Sequence, residues 1–136
     1  LVNLAVYAFG YRDLQVSVPQ GGSSVIANVG RARGRGVELE TRLLPVDWLD
    51  LFANAAYNNT RITEFAEKPE QVGLPLNQAP EWTAAMGGTA TVPLQTAGEI
   101  RFGGTMIYRS SFRNDNALVN GVDAYTLVNL RAGWTD

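Results

Sequence analysis

Apolar and polar residues alternate with a period of two along most of this chain, and the alternation recurs in long runs. In Val37-Glu38-Leu39-Glu40-Thr41-Arg42-Leu43, the residues Val37, Leu39, Thr41 and Leu43 fall on one face, and Glu38, Glu40 and Arg42 on the other. Leu49, Leu51, Ala53, Ala55 and Tyr57 repeat the pattern against Asp50, Phe52, Asn54, Ala56 and Asn58. Phe102, Met106 and Tyr108 then oppose Arg101, Thr105 and Arg109, and Val128, Leu130, Ala132 and Trp134 oppose Asn129, Arg131 and Gly133. Successive side chains of an extended chain point to opposite faces, so the period predicts strands. They are expected over 1–18, 25–43, 49–62, 82–92, 99–111 and 125–134, with no helix.

One apolar and one polar face fit any half-buried antiparallel strand. Three further features point to a sheet that crosses a bilayer. Residues 1–18 and 25–43 read as nearly continuous strand, allowing bulges at the glycines. Soluble strands typically run about 5–6 residues, whereas a membrane strand needs roughly 9–11. Connections alternate in length: 44–47 and 93–98 are tight, while 61–81 and 110–123 are long, polar and rich in Gly, Pro and Asn. Short turns at one end and long loops at the other are the pattern of outer-membrane barrels. Finally, Trp48, Trp82, Trp134, Tyr57, Tyr108 and Tyr125 fall at strand ends, as the two aromatic girdles of a barrel do. From Leu49 to Tyr57 the chain rises roughly 26 Å, or roughly 20 Å of depth at a tilt of about 40°, close to the apolar band of about 25 Å. The expected fold is all-β, an antiparallel transmembrane β-barrel of which these six up-and-down strands are a part.

Composition narrows the function. The chain has 136 residues, 46% of them apolar, yet no stretch approaches the roughly 18 apolar residues of a membrane-spanning helix. It has no cysteine, which removes disulfides, zinc–thiolate sites and thiol catalysis. It has no histidine either, so the commonest general base and transition-metal ligand are missing. No catalytic, cofactor or metal residues are assigned, and an enzyme is the least expected class. A hydrolytic serine in an outer-membrane barrel would need a histidine partner. The net charge of −2 argues against a nucleic-acid partner. Leu1-Val2-Asn3-Leu4 carries neither a basic region nor a cleavage site, so any export signal is expected outside this sequence.

Several segments resemble one family. Asn28-Val29-Gly30-Arg31-Ala32-Arg33-Gly34-Arg35-Gly36-Val37-Glu38-Leu39-Glu40 is similar to a strand of TonB-dependent receptors: an asparagine, a basic Gly/Ala-rich stretch, then G-V-E-L-E. Pro45, Trp48-Leu49-Asp50-Leu51, Ala55-Ala56-Tyr57 and Ile62-Thr63-Glu64-Phe65 follow in the family's order, as does Leu76-Asn77-Gln78-Ala79-Pro80-Glu81-Trp82-Thr83. Upstream, Tyr7-Ala8-Phe9-Gly10-Tyr11-Arg12-Asp13-Leu14-Gln15 looks like the strand ending in an aromatic, a charged pair and I/L-Q. The resemblance covers essentially the whole chain. It implies part of a barrel of about 22 strands, without the N-terminal plug domain, the TonB-engaging segment or the final strands. It also implies a bacterial outer-membrane receptor in contact with membrane lipid and lipopolysaccharide. Such a receptor takes up a scarce nutrient, commonly a ferric siderophore or a cobalamin-like ligand and most typically the former, and is energised by the TonB complex through the plug.

Candidate residues follow from the two faces. Val37, Leu39, Leu49, Leu51, Tyr57, Trp82 and Trp134 are expected against lipid or in a girdle, and Glu38, Glu40, Arg42, Asn54, Asn58, Arg101 and Arg131 in the lumen, together with Arg12 and Asn129. The ordinary role of the lumen set is a hydrated, salt-bridged wall. Arg109, Arg113 and Asn114 lie near or in a long loop; the two guanidinium forks suit an anionic ferric chelate, although most loop charges are simply solvated. Asn114-Asp115-Asn116 offers oxygens but too little else for a calcium site. Arg31, Arg33 and Arg35 share a face with Val37 and Leu39, where arginine at mid-membrane costs roughly 2–4 kcal/mol. Either the strand leaves the hydrocarbon near Gly36, which is favoured, or a glycine bulge turns the arginines inward. Two other architectures compete: a soluble lipocalin-like ligand-binding barrel with the apolar face inside, and a small self-contained outer-membrane barrel serving as an anchor. The second needs at least eight strands.

Overall fold

The computed structural model describes residues 1–95, 97–114 and 121–136. It is all-β apart from one 3-10 turn at Pro69–Gln71. The strands are β1 (Val2–Gln20), β2 (Ser23–Val46), β3 (Leu49–Glu64), β4 (Trp82–Pro93), β5 (Glu99–Arg109), β6 (Phe112–Arg113), β7 (Gly121–Val122) and β8 (Tyr125–Thr135). One antiparallel sheet runs in the order β1-β2-β3-β4-β5-β8, and β6 and β7 form a small hairpin of their own. All six expected strands are present, with β2 and β3 longer than their alternation indicated. Among the described residues no second layer covers the sheet.

The ends of the strands sort the connections. At one end lie the turns 47–48 and 94–98, and at the other the β1–β2 turn, the 65–81 connection and the segment between β5 and β8. Gly21 and Gly22 form the two-residue β1–β2 turn with φ of 56° and 84°, the backbone handedness that lets the flanking strands keep their twist. The β2–β3 turn differs from the expected 44–47. Pro45 is absorbed into β2 by a bulge between Leu43 and Val46, where the missing N–H of proline is tolerated, and the chain reverses at Asp47-Trp48.

Among the described residues the buried apolar set is only Ala32, Ile62 and Phe65, each 2% exposed. Leu4, Val6, Leu43, Phe102, Val128 and Leu130 stand exposed on one face, Leu130 at 84%. The accessible surface is 9293 Å², whereas a compact protein of this mass has about 6,900 Å². A sheet with one bare apolar face is insoluble in isolation unless hydrocarbon covers it. A lipocalin-like interior would bury that face, and it does not.

Because there is no second layer, side chains pack sideways along the sheet. Tyr7, Phe9 and Tyr11 pair with Gly36, Gly34 and Ala32 across β1–β2. Tyr7 and Phe9 stack at 6.1 Å, and Phe9 and Tyr11 lie tilted at 5.2 Å. A Cβ at Gly34 would meet the Phe9 ring, and one at Gly36 would meet the Tyr7 ring and the Tyr57 carbonyl, all inside van der Waals contact. Gly34→Val in the full-length protein is therefore expected to destabilise the folded barrel by about 1–3 kcal/mol. Urea unfolding in lipid would check this; an unchanged midpoint would show that ring and glycine are not packed together.

Candidate functional site: a polar face beneath a loop cap

Register decides which side chains share a face, since residues directly opposite in an antiparallel ladder point the same way. Glu38, Glu40 and Arg42 pair with Ala56, Asn54 and Phe52, and Asn58 pairs with Gly36. Arg101 and Arg131 pair with one another's neighbours, Gly133 and Gly103. All seven residues of the expected polar set thus lie on one face of the sheet. Val37, Leu39, Leu49, Leu51, Tyr57, Trp82 and Trp134 lie on the other, through Val37↔Tyr57, Leu39↔Ala55, Tyr57↔Trp82 and Ile100↔Trp134.

The polar face is partly self-neutralised. Arg42 donates from Nε and Nη2 to the two carboxylate oxygens of Asp50, at 2.9 and 2.5 Å. Arg131 crosses above Gly103 to donate to Thr89 Oγ1 at 2.8 Å. Arg101 pairs with Glu99. A shallow concavity of about 230 Å³ brings Glu38, Glu40, Asn54 and Arg109 together over the small residues Ala56 and Ala85. Asn58 Oδ1 is buried with no hydrogen-bond partner among the described residues.

The 65–81 connection folds back to make a small core. Ile62 and Phe65 pack with Leu14 and Leu76. The returning chain pairs with β3: Ile62 N donates to Leu74 O at 2.9 Å, and Gly73 N to Ile62 O at 2.8 Å. Thr60 Oγ1 accepts from Leu76 N at 3.1 Å. Arg113, on β6, staples the two long connections: its Nη1 donates to Pro75 O at 3.2 Å and its Nη2 to the buried Gln71 Oε1 at 3.3 Å. Gln78 N donates back to Arg113 O at 2.7 Å.

The three loop-end candidates are thus in different situations. Arg109 lies on the polar face, opposite Thr83 and Tyr125. Arg113 is half-buried in the cap, and Asn114 is exposed beyond it. Asp115 and Asn116 lie outside the described residues. The side chains of Asn28 and Val29, which open the basic motif, also lie outside the described ones. Two other residues fall on the face opposite to the expected one. Arg12 pairs with Arg31 and lies with the arginine row, and Tyr125, opposite Arg109, lies on the polar face rather than in a girdle. The sequence reading missed the Tyr7-Phe9-Tyr11 row on the polar face. Its signal was present, as alternating aromatics on one strand matched by alternating small residues on the next.

The apolar face carries its own features. Tyr57 and Trp82 pack at 4.9 Å near the long-loop end, and Trp134 Nε1 donates to Ala97 O at 2.8 Å near the turn end. Between these ends a groove of about 560 Å³ runs over Gly88 and Gly104, lined by Leu49, Leu51, Phe102 and Leu130. Its lining is mostly apolar, with Thr89 and Arg131 also bordering it. Among the described residues no helix is long and apolar enough to cross a membrane, which says nothing of crossing by strands.

A one-layer antiparallel sheet with opposed apolar and polar faces, aromatic ends and long loops at one end defines a segment of a transmembrane β-barrel. The chain belongs to the TonB dependent receptor-like β-barrel family, whose model matches residues 1–136. Barrels of that family sit in the outer membrane of Gram-negative bacteria, and the family is one of transport receptors. Among solved structures, the chain is similar to BauA, the ferric preacinetobactin receptor of Acinetobacter baumannii, at 16% identity and a TM-score of 0.75, covering 96% of this chain and 20% of that one. It is also similar to PiuA, a siderophore receptor of the same organism, at 17% identity and a TM-score of 0.75, covering 98% and 19%. The chain therefore spans about a fifth of the length of these receptors. No curated protein matches it.

Nitroxide labels introduced singly in the full-length protein in lipid would check the faces. Labels at Leu39, Leu51 and Val128 are expected to be relaxed by dissolved oxygen from the lipid phase, and labels at Glu40, Asn54 and Asn129 by a water-soluble relaxant. Shielding of the first group from both agents would mean a packed soluble sheet.

Proposed function

We propose that this chain is part of the barrel of an outer-membrane receptor that takes up a ferric siderophore, with transport driven through TonB. The observation that carries the reading is the one-layer sheet, apolar on one face and charged on the other, in a member of the TonB dependent receptor-like family. The two similar structures are themselves named as siderophore receptors. In this reading the polar face lines the lumen. Glu38, Glu40, Arg42, Asn54, Asn58, Arg101 and Arg131 keep that wall hydrated and present charge to a plug domain. Val37, Leu39, Leu49, Leu51, Tyr57, Trp82 and Trp134 meet lipid.

Ligand arrives at the long-loop end. A ferric chelate carries oxyanions, and a guanidinium offers them a planar fork of donors. Arg109 is the principal contact, because it is exposed on the polar face at the long-loop end and has no hydrogen bond or ion pair among the described residues. Arg113 and Asn114 contribute at the rim, Arg113 also by holding the cap in shape. Energy reaches the barrel through the plug, outside these residues.

The test is uptake of radiolabelled ferric siderophores by iron-limited cells whose only matching receptor is the full-length protein. Uptake is expected to vanish when TonB is deleted. Arg109→Ala is expected to lower it about tenfold at subsaturating ligand, the effect of one lost charge-assisted hydrogen bond. Uptake that ignores both the receptor and TonB overturns the proposal.

A further inference from the structure

The cap leans over the polar face. Ile62 and Thr60 share that face, because they pair with Ala32 and Gly34, and each is only 2% exposed. Ile62 packs with Phe65 and Leu76, and Leu76 N donates to Thr60 Oγ1. The covering chain is shaped by the 3-10 turn at Pro69–Gln71, where Gln71 N donates to Lys68 O at 3.0 Å and Val72 N to Pro69 O at 3.1 Å. The turn carries the Gln71 side chain inward, to 1% exposure. A buried amide left without a partner is destabilising.

A partner comes from the other long connection. Arg113 Nη2 donates to Gln71 Oε1 and Nη1 to Pro75 O, so one planar fork of donors spans the turn and the chain that returns from it. Gln78 N donates in turn to Arg113 O. Gln78 has a left-handed φ of 53°, which a residue other than glycine keeps only where its surroundings hold it. The same segment is tied again three residues earlier. Ser110 N donates to Trp82 O at 2.9 Å, and Trp82 N to Ser110 Oγ at 3.0 Å. Ser110 directly follows Arg109. Residues 110–113 are thus fastened at both ends to residues 71–82, and the fastened stretch starts beside the side chain proposed to meet ligand.

The guanidinium of Arg113 is engaged by the cap, whereas that of Arg109 is exposed on the polar face. We infer that Arg113 is a positioning residue: through the buried Gln71 it locks the two long connections into one body beside Arg109, and its contribution to ligand capture passes through that lock. Loops already ordered before the ligand arrives lose less conformational freedom on binding, and affinity rises accordingly. The role in capture rests on the receptor reading, while the lock itself is a property of the fold.

The first measurement uses the full-length receptor in nanodiscs, without ligand. Nitroxides at Glu70 and Ser111, both exposed, report the spacing of the two connections by pulsed dipolar spectroscopy. One narrow distance is expected in the otherwise unsubstituted protein, and its loss to a broad distribution in Arg113→Ala and in Gln71→Ala alike. Narrow distances in both variants overturn the inference. The second measurement is uptake of a radiolabelled ferric tris-catecholate and a ferric tris-hydroxamate by iron-limited cells. At subsaturating concentration Arg113→Ala is expected to lower uptake about fivefold, the net effect of about one hydrogen bond. Gln71→Ala, which removes no charge, is expected to lower it equally, and the double variant no further, since both residues act through one contact. Full uptake by Gln71→Ala would mean that Arg113 acts on the ligand directly, and overturns the inference. Absence of uptake by the unsubstituted receptor would count against the receptor reading alone, and the dipolar distances would still decide the lock.

Discussion

Everything in this molecule depends on the need to pair each strand's backbone groups with those of its neighbours. In hydrocarbon an unpaired N–H or C=O has no water to turn to and costs several kcal/mol, so the ladders must be long and nearly unbroken. They are: β1 and β2 pair over eighteen rungs, and the irregularities against β3 sit near the ends, at Arg31/Ala32 and Leu43/Val46. A slip of one residue would carry every side chain to the opposite face. Continuous pairing therefore fixes the chemistry of both faces at once, and Leu39 cannot meet lipid unless Glu38 and Glu40 point the other way.

The same constraint explains how side chains pack where there is no core. A single layer offers each large side chain only its cross-strand neighbours, so bulk on one strand is matched by glycine on the next. Phe9 lies over Gly34, Phe52 over Gly87 and Arg131 over Gly103. Glycine in a strand costs conformational entropy, and here that loss is offset by contact area that a second layer would otherwise supply. The polar face gains order in this way. Arg131 reaches Thr89 across β5 because Gly103 carries no side chain to deflect it.

The features that were legible in the sequence are those set by local period. Val37 to Leu43 and Leu49 to Tyr57 announce their strands and faces by alternation alone, and in the structure these faces follow that alternation. What escaped depends on partners distant in the chain. The cap requires Arg113 to meet Pro75 and Gln71, 38 and 42 residues away, and nothing around Arg113 signals that contact. Arg12 is expected inward with the other charges; its pairing with Arg31, which sets it on the opposite face, follows only from the β1–β2 register. Pro45 read as a turn because proline usually ends a ladder, but a bulge moved the reversal two residues on. The Tyr7-Phe9-Tyr11 row was visible in principle, because its glycine partners lie within a single hairpin.

Strand β2 shows how one ladder carries two kinds of surface. Below Gly36 it sets Glu38 and Glu40 on the polar face and Val37 and Leu39 on the apolar one. Above Gly36 the polar face becomes Ala32 and Gly34 under aromatic rings, and the other face becomes Arg33 and Arg35. Alternation never breaks across this boundary, so the change comes from residue type alone. Its level coincides with the Tyr57–Trp82 pair on the neighbouring strands. Arginine beside Val37 would be unfavourable in a soluble core and costly at the centre of a bilayer, and it is cheap only where hydrocarbon gives way to charge. The outward face thus changes from apolar to charged one step beyond the rung that carries the Tyr57–Trp82 pair.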